Sequence, residues 1–342
     1  MKHYFDRRRF LATASAAAGL GLLSGFTKPG AREAFQQPGN RIGIIGLDTS
    51  HSIAFTKALN GPDPSPAFAG FKVIAAYPKG SADIESSVKR IPGYIDEVKK
   101  LGVEIVNSIP ELLKKVDFVL LETNDGRPHL QQALLVLEAR KPMFIDKPVA
   151  GSLADTVAIY KAAEKSGVPI FSASSLRYME TVQDVVKGKI GSVLGADCFS
   201  PATIEKTHPD LFWYGIHGVE ILFTVMGPGC ATVRRIHTNN TDIVIGEWND
   251  GRIGTFRGTR TGKHDYGGTA FGEKGNLSLG PFKGYDDLLT RIIEFFKTGS
   301  VPVSPTETLE IYTFMEAADE SKRNGGSVVN IKDVLAKASK AK

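Results

Sequence analysis

A histidine followed three residues later by a glutamate, His217 and Glu220, is the first candidate for chemistry in this sequence. Both lie in the apolar stretch 211–227, whose pattern predicts a helix that projects them from one face. An imidazole with an ordinary pKa near 6.5 can accept a hydroxyl proton at neutral pH, and Glu220 could orient it. The alternatives are a structural histidine packed on a sheet, or two ligands of a metal site that lacks further partners.

Polar residues also end two apolar runs that predict strands. Lys147 lies near the end of the run 142–148, and Thr123-Asn124 ends the run that begins at residue 117. Open α/β sheets bind ligands at the carboxyl ends of their strands. A lysine there can stabilise a developing alkoxide, and Thr123-Asn124 can face a nucleotide. The alternatives are an exposed lysine and a simple turn.

The stretch GIIGLDTSH, residues 43–51, lies between a predicted first strand and a predicted first helix. In the dinucleotide-binding pattern G-x-G-x-x-G, the glycines permit a tight turn, close approach to the pyrophosphate and helix packing. Gly46 takes the first place, Asp48 the second and His51 the third. The carboxylate at the second place opposes phosphate charge unless it turns away or meets a cation.

Neighbouring residues partly compensate for the missing glycines. Thr49 and Ser50 can cap the helix and donate hydroxyls to a phosphate, and His51, when protonated, offsets negative charge. The second predicted strand is followed by Lys79 and Ser81 rather than by an acidic residue for the ribose of NAD. This pair favours NADP over NAD, with a solvated loop as the alternative.

The predicted strands and helices that position these residues alternate along the first half of the chain. From residue 41 to about 174, short apolar runs alternate with helical stretches, which predicts a doubly wound parallel sheet of Rossmann type. Beyond about residue 190 the predicted strands are longer and adjacent, with a hairpin turn at Asn249-Asp250-Gly251. The predicted fold class is α/β, with the parallel sheet followed by an α+β domain that carries a mostly antiparallel open sheet.

Three segments, 125–152, 174–193 and 305–331, come in an order that is specific for one fold. The first contains Asp146-Lys147-Pro148, which matches an E-K-P motif. Together they resemble the Gfo/Idh/MocA family of glucose-fructose oxidoreductase and inositol dehydrogenase, over about residues 41–331. The resemblance implies a Rossmann domain that binds NAD or NADP and a C-terminal domain whose sheet carries a sugar-like substrate.

The resemblance also implies roles for individual residues. Lys147 matches the family's lysine near the nicotinamide, and His217 matches the catalytic histidine of its D-x-x-x-H motif. Trp213 stands at the aspartate position of that motif, so a relay carboxylate must come from Glu220 or elsewhere.

Further residues of the matching segments complete the candidate site. We assign His129 and Asp146 to cofactor binding, and Arg177, Trp213 and Tyr214 to substrate binding. No metal is assigned. The cofactor is expected to be NADP or NAD, held tightly.

The amino terminus indicates export. Arg7-Arg8-Arg9-Phe10-Leu11 precedes the mildly apolar stretch 11–26, which resembles a twin-arginine signal rather than a membrane span. The predicted organisation is a signal and linker at 1–39, a Rossmann domain at 40–150, a substrate domain at 151–331 and a tail at 332–342. The twin-arginine translocase is then a partner, and the periplasm the location.

Charge and cysteine content bear on the possible partners of the protein and on disulfide formation. The net charge of +5 lies mostly in residues 1–39, which hold six Lys and Arg against two Asp and Glu. A nucleic-acid partner is therefore not expected. Cys198 and Cys230 could pair in an oxidising compartment or stay as two buried thiols. A homo-oligomer is expected.

Three functions follow from these patterns. The first is an exported NAD(P)-dependent oxidoreductase that acts on a hydroxyl of a sugar, cyclitol or related polyol, with His217 as acid and base and Lys147 as electrostatic helper. The second is a redox-neutral glycoside-cleaving enzyme that uses bound NAD(P) transiently. The third, motivated by Asp48 and His51, is a cofactor-free sugar-binding protein.

Overall fold

The computed structural model describes residues 39–340 of the chain. The predicted twin-arginine segment and residues 341–342 lie outside the described residues. Among the residues that are described, no helix is long and apolar enough to cross a membrane.

The first sheet has six strands, all paired in parallel, in the order β3-β2-β1-β4-β5-β6. Its strands are β1 (Arg41–Ile45), β2 (Lys72–Tyr77), β3 (Glu104–Ile105), β4 (Phe118–Leu121), β5 (Met143–Ile145) and β6 (Ile170–Phe171). The crossover helices are α1 (Ser50–Asn60), α2 (Glu85–Lys100), α3 (Ile109–Leu113), α4 (His129–Glu138) and α5 (Leu153–Ser166). The order reverses between β1 and β4, which creates a ligand-binding crevice at their carboxyl ends.

The second sheet has seven strands in the order β12-β11-β7-β10-β9-β8-β13, antiparallel except for the parallel pair of β7 with β10. Its strands are β7 (Val193–Pro201), β8 (Cys230–His237), β9 (Thr241–Trp248), β10 (Ile253–Thr259), β11 (Gly267–Gly272), β12 (Gly275–Leu279) and β13 (Val329–Asn330). The helices of this half are α6 (Glu180–Val186), α7 (Ile216–Met226), α8 (Asp286–Thr298), α9 (Pro305–Arg323) and α10 (Ile331–Lys340). The predicted fold class is confirmed.

The two halves share their hydrophobic packing. Helix α8 returns to the first sheet, where Phe296 stacks on Phe118 of β4 with ring centroids 4.6 Å apart. Helix α9 also reaches back, since the hydroxyl of Tyr312 accepts a hydrogen bond of 2.7 Å from the backbone N–H of Val149. Helices α8 and α9 thereby pack the second half of the chain against the parallel sheet.

Some local predictions differ from the structure. The helix predicted over 211–227 begins at Ile216, because residues 211–215 form turns instead. Helix α2 begins at Glu85 and continues through Pro92. Cys198 and Cys230 are buried, free thiols, so the disulfide alternative is excluded.

Candidate active site

Half of the predicted site residues meet in one cavity of about 130 Å³ at the carboxyl edge of the parallel sheet. The predicted residues in its lining are Thr49, Ser50, His51, Asn124, Asp146, Lys147, Tyr214 and His217. Larger cavities lie elsewhere, one of about 460 Å³ beside Arg177 and Glu307. That larger cavity contains none of the strand-end residues, so size alone does not identify the site.

His217 is positioned for proton transfer. It lies in the first turn of α7, and its Nδ1 is 2.8 Å from Oγ of Ser174, which follows β6. Burial and the positive charge of Lys147 hold the pKa of His217 well below its ordinary value. The imidazole is therefore neutral at pH 7 and able to accept a proton.

Lys147 follows β5 and shares the cavity with His217. Its Nζ lies 5.3 Å from the ring centroid of Tyr214 and 6.0 Å from that of Trp213, distances at which a cation is attracted to an aromatic face. Tyr214 lines the cavity, whereas Trp213 is buried against His208. Trp213 therefore supports the lysine rather than facing the cavity.

Glu220 does not orient His217, which corrects one sequence-based expectation. Its carboxylate accepts a hydrogen bond of 2.6 Å from Nε of Arg177, and Arg177 donates a second of 2.6 Å to Glu307. A buried guanidinium requires such partners, because an unpaired buried charge is costly. Arg177 is thus held in an internal ion pair away from the strand-end cavity, and Ser174 is the partner of the imidazole.

The glycine loop keeps one feature of a dinucleotide-binding turn. Gly46 has a φ of +92°, and a Cβ there would lie 2.4 Å from the backbone nitrogen of Thr123. Thr49 caps α1 by accepting a hydrogen bond from the backbone N–H of Ser52. Asp48 turns away from the start of the helix, and its buried Oδ1 accepts a hydrogen bond of 3.0 Å from the backbone N–H of Asn124.

A buried cluster of one imidazole and two carboxylates lies beside this loop. Nδ1 of His51 is 3.1 Å from Oδ1 of Asp146 and 3.8 Å from Oε2 of Glu122. Thr49 donates a hydrogen bond of 3.1 Å to the same Oε2. Burial and the charge of Asp146 raise the pKa of Glu122 well above its ordinary value. Burial opposes ionisation of Asp146, but His51 and Lys147 together lower its pKa.

Glu122, and with it the cluster, was not predicted from the sequence. Glu122 directly follows β4, as Asp146 directly follows β5. Acidic residues after neighbouring parallel strands must approach each other, so the paired positions were an available signal. His51, in contrast, was predicted to offset a phosphate, whereas in the structure it faces these carboxylates.

The loops after β2 and β4 are joined across the crevice. Arg127 pairs with Asp83 and, at 2.6 Å, with Asp125. Ser81 donates to Asp83 and accepts a hydrogen bond from Arg127. A 2′-phosphate bound at Ser81, as predicted, would therefore lie beside the carboxylate of Asp83. The other predicted residue, Lys79, is exposed and does not line the cavity.

Two further predicted residues hold the loops in place. Thr123 is buried and donates a hydrogen bond of 3.1 Å to Gln132. His129 is fully buried, with its ring nitrogens 2.8 Å and 3.1 Å from the carbonyl oxygens of Thr123 and Val149. Both residues shape the ends of β4 and β5 and do not line the cavity.

The strand order implies a dinucleotide, and the residues at this edge fit its two ends differently. Lys147, Asn124 and His217 suit a nicotinamide and a reacting hydroxyl. The cavity of about 130 Å³ is smaller than the roughly 300–1,000 Å³ of ordinary ligand pockets. The side chains at the reactive end therefore suit the cofactor and substrate, whereas the cavity must widen to hold a dinucleotide.

A parallel sheet of this order binds dinucleotides at its carboxyl edge, where His217 and Lys147 lie in this chain. Residues 40–174 match the family model of Gfo/Idh/MocA, which is described as an oxidoreductase family with an NAD-binding Rossmann fold. The match covers the part of the chain that forms the parallel sheet and its crossover helices.

Solved structures are similar over nearly their whole length. A probable dehydrogenase from Thermotoga maritima superposes with a TM-score of 0.70 at 20% identity, covering 86% of this chain and 99% of that one. Scyllo-inositol dehydrogenase from Lactobacillus casei, solved with NAD(H) and scyllo-inositol, gives 0.69 at 18%, covering 85% and 99%. Myo-inositol 2-dehydrogenase from Lactobacillus plantarum gives 0.68 at 15%, covering 85% and 98%. These likenesses show the fold. No curated protein matches the chain.

Proposed function

We propose that this protein oxidises, or in reverse reduces, a hydroxyl-bearing carbon of a sugar, cyclitol or related polyol with NAD(P). The observation that carries the proposal is the meeting of His217 and Lys147 in one cavity at the carboxyl edge of the sheet. The Gfo/Idh/MocA match of residues 40–174 supports the cofactor class. The inositol dehydrogenases among the similar structures support the substrate class.

Each residue has a distinct role in this reaction. His217 accepts the hydroxyl proton while Ser174 holds Nδ1 of the ring. Lys147 stabilises the oxygen as negative charge develops on it. Tyr214 and Tyr266, which line the cavity, offer rings to the apolar face of a polyol. A bound nicotinamide supplies the hydride acceptor.

The test begins with the cofactor. Protein purified from the cytoplasm with its amino terminus intact is denatured, and the released small molecules are identified by absorbance and mass. The folded protein is then titrated with the four nicotinamide forms and assayed with inositols and hexoses by absorbance at the reduced-nicotinamide band. Cofactor binding with polyol-dependent reduction is expected. Absence of binding by every form contradicts the proposal.

A second candidate function has one specific observation in its favour. A buried carboxylate, Asp48, takes the second glycine position of the loop and is bonded to Asn124, and Arg127 joins the loops after β2 and β4 through Asp83. A protein that binds polyols without a dinucleotide would retain such contacts. Calorimetric binding of a polyol, with no binding of any nicotinamide form, would favour this function.

We also propose that the protein is exported by the twin-arginine route to the periplasm. The support is the sequence Arg7-Arg8-Arg9-Phe10-Leu11 before an apolar stretch. Replacing Arg7, Arg8 and Arg9 with lysine is expected to retain the protein in the cytoplasm. Cell fractionation checks this, and periplasmic protein in the lysine variant contradicts it.

A homo-oligomer is proposed as well. The second sheet carries large apolar side chains that are more than half exposed, including Leu194, Ile236 and Ile253. Apolar side chains exposed on an open sheet are available for contacts between subunits. Light scattering on the purified protein is expected to give at least twice the 36.9 kDa of one chain.

A further inference from the structure

We propose that His51, Glu122 and Asp146 form a binding site for one divalent transition-metal ion, with Zn²⁺ and Mn²⁺ as the best-suited ions. One ligand atom from each residue lies within 4.8 Å of the other two. The site itself does not depend on the proposed oxidoreductase function. It is called the triad below.

The distances suit shared coordination. Protein nitrogen and oxygen ligands bind Zn²⁺ at about 2.0–2.2 Å, which places neighbouring ligand atoms about 3–3.6 Å apart. Nδ1 of His51 is 3.1 Å from Asp146 and 3.8 Å from Glu122. Small side-chain adjustments therefore bring all three atoms onto one ion.

Unsatisfied atoms give an independent indication of a ligand. Oε1 of Glu122 is buried with no hydrogen-bond partner, and the buried Nδ1 of His51 and Oδ1 of Asp146 have no partner beyond their contact with each other at 3.1 Å. Their side chains are 6%, 0% and 1% exposed, so water cannot reach them freely. Buried polar atoms without partners are costly, and a cation is the partner that two carboxylates and an imidazole nitrogen share.

Neighbouring side chains hold the triad ready. The His51 ring stacks on Phe55 at 5.0 Å and meets the edge of Tyr285 at 4.5 Å, which fixes its orientation. Thr49 donates a hydrogen bond to Glu122. Metal sites depend on such orienting contacts as well as on the ligands themselves.

The ligand types limit the choice of ion. Imidazole suits Zn²⁺ and related transition metals, and carboxylates suit Mn²⁺, so one nitrogen and two oxygens favour these two. Mg²⁺ prefers octahedral oxygen ligands and is expected to bind more weakly.

The triad also borders the proposed chemistry. His51 and Asp146 line the cavity that contains Lys147 and His217, and three protein ligands leave a coordination position open. The ion can therefore polarise an oxygen of a substrate held there. This last use rests on the proposed function, whereas binding of the ion does not.

The experiment measures metal binding without nicotinamide or substrate, so that its result is independent of the oxidoreductase proposal. The full chain is stripped with a chelator and titrated with Zn²⁺, Mn²⁺ and Mg²⁺ by calorimetry, with stoichiometry from elemental analysis. One ion per chain is expected for Zn²⁺ or Mn²⁺. We expect His51→Gln, Glu122→Gln and Asp146→Asn each to weaken metal binding by about 100-fold or more. Loss of a residue that only orients a ligand typically weakens binding by about 10–100-fold, and loss of the ligand itself should cost at least as much.

The chain offers a matched control in His264→Gln and Asp265→Asn, which alter an exposed histidine–aspartate pair and should leave binding unchanged. X-ray absorption of the Zn²⁺-loaded wild type, expected to show one imidazole with oxygen ligands, tests the site even where a variant fails to fold. Absence of binding by the wild type, equal loss in the control variants, or a coordination shell without imidazole each overturns the proposal.

Discussion

The Oγ atom of Ser174 lies 2.8 Å from Nδ1 of His217, and this hydrogen bond joins the end of the parallel sheet to the first turn of α7. Ser174 also accepts a hydrogen bond from the backbone N–H of Leu176, which fixes its hydroxyl. The pair sets the orientation of the imidazole that faces Lys147. The role expected of Glu220 thus belongs to a serine from another element.

His217→Asn removes the proton acceptor while keeping a polar side chain of similar shape. Loss of general base catalysis typically costs about 10²–10⁴-fold, and we expect kcat/KM to fall by that factor. For Ser174→Ala we expect a smaller fall in kcat/KM, because the base remains but is less well oriented. Steady-state assays with the polyol that supports reduction provide the measurement, and retention of more than a tenth of wild-type activity by His217→Asn would remove this residue from catalysis.

The lowered pKa of His217 predicts that the histidine keeps its activity as a base at lower pH than an ordinary imidazole. Burial and Lys147 both disfavour the imidazolium, so His217 stays neutral, and able to accept a proton, below pH 6.5. Lys147→Gln removes the positive charge and should raise the pKa of His217. NMR titration of the histidine side chains checks both statements. An unchanged or lower pKa in Lys147→Gln would show that the lysine does not act on this ring.

Asp48→Asn tests whether the carboxylate opposes the phosphates of a dinucleotide. The amide oxygen of asparagine can still accept the hydrogen bond from the N–H of Asn124, whereas the negative charge is lost. We expect NAD(P) to bind about tenfold more tightly, equivalent to about 1.4 kcal/mol. Fluorescence titration provides the affinity, with Asp63→Asn on an exposed loop as the control. Weaker binding by Asp48→Asn would indicate that the carboxylate holds the cofactor.

Arg127→Gln tests the link between the loops after β2 and β4. Because Arg127 pairs with both Asp83 and Asp125, its removal should open the crevice and speed dinucleotide association severalfold. Stopped-flow nicotinamide fluorescence measures the rate. Arg252→Gln, which breaks an exposed pair with Asp250, serves as the control. An unchanged association rate in Arg127→Gln would mean that the link does not limit entry.

Gly46→Ala is expected to destabilise the fold. At φ +92° an alanine is strained, and its Cβ would lie 2.4 Å from the backbone nitrogen of Thr123. Strained backbone of this kind costs about 1–3 kcal/mol before the clash is counted. Gly93→Ala, in α2 with open space around its Cβ, should instead stabilise by about 0.5–1 kcal/mol. Urea unfolding distinguishes the two, and equal effects would contradict the explanation.

Local patterns were sufficient for the fold. Alternating apolar runs and helical stretches predicted the parallel sheet, and longer adjacent strands predicted the antiparallel sheet, because burial on one or two faces leaves a periodic record in the chain. Lys147, Asn124 and Asp146 could be placed at one edge for the same reason. Each follows a parallel strand, and the carboxyl ends of such strands meet.

Tertiary structure decided which side chains touch. From sequence, Glu220 three residues after His217 was the natural partner, but the buried guanidinium of Arg177 takes that carboxylate and leaves the imidazole to Ser174. Likewise, His51 faces Glu122 and Asp146 only because the crossovers between β1 and β5 bring α1, β4 and β5 together at one edge. The sequence by itself determined the strands and helices, and the edge of the parallel sheet at which the site residues lie, since these depend on local periodicity. Only packing decided the partners, because contacts between distant residues depend on the competition of every buried charge for its counter-charge.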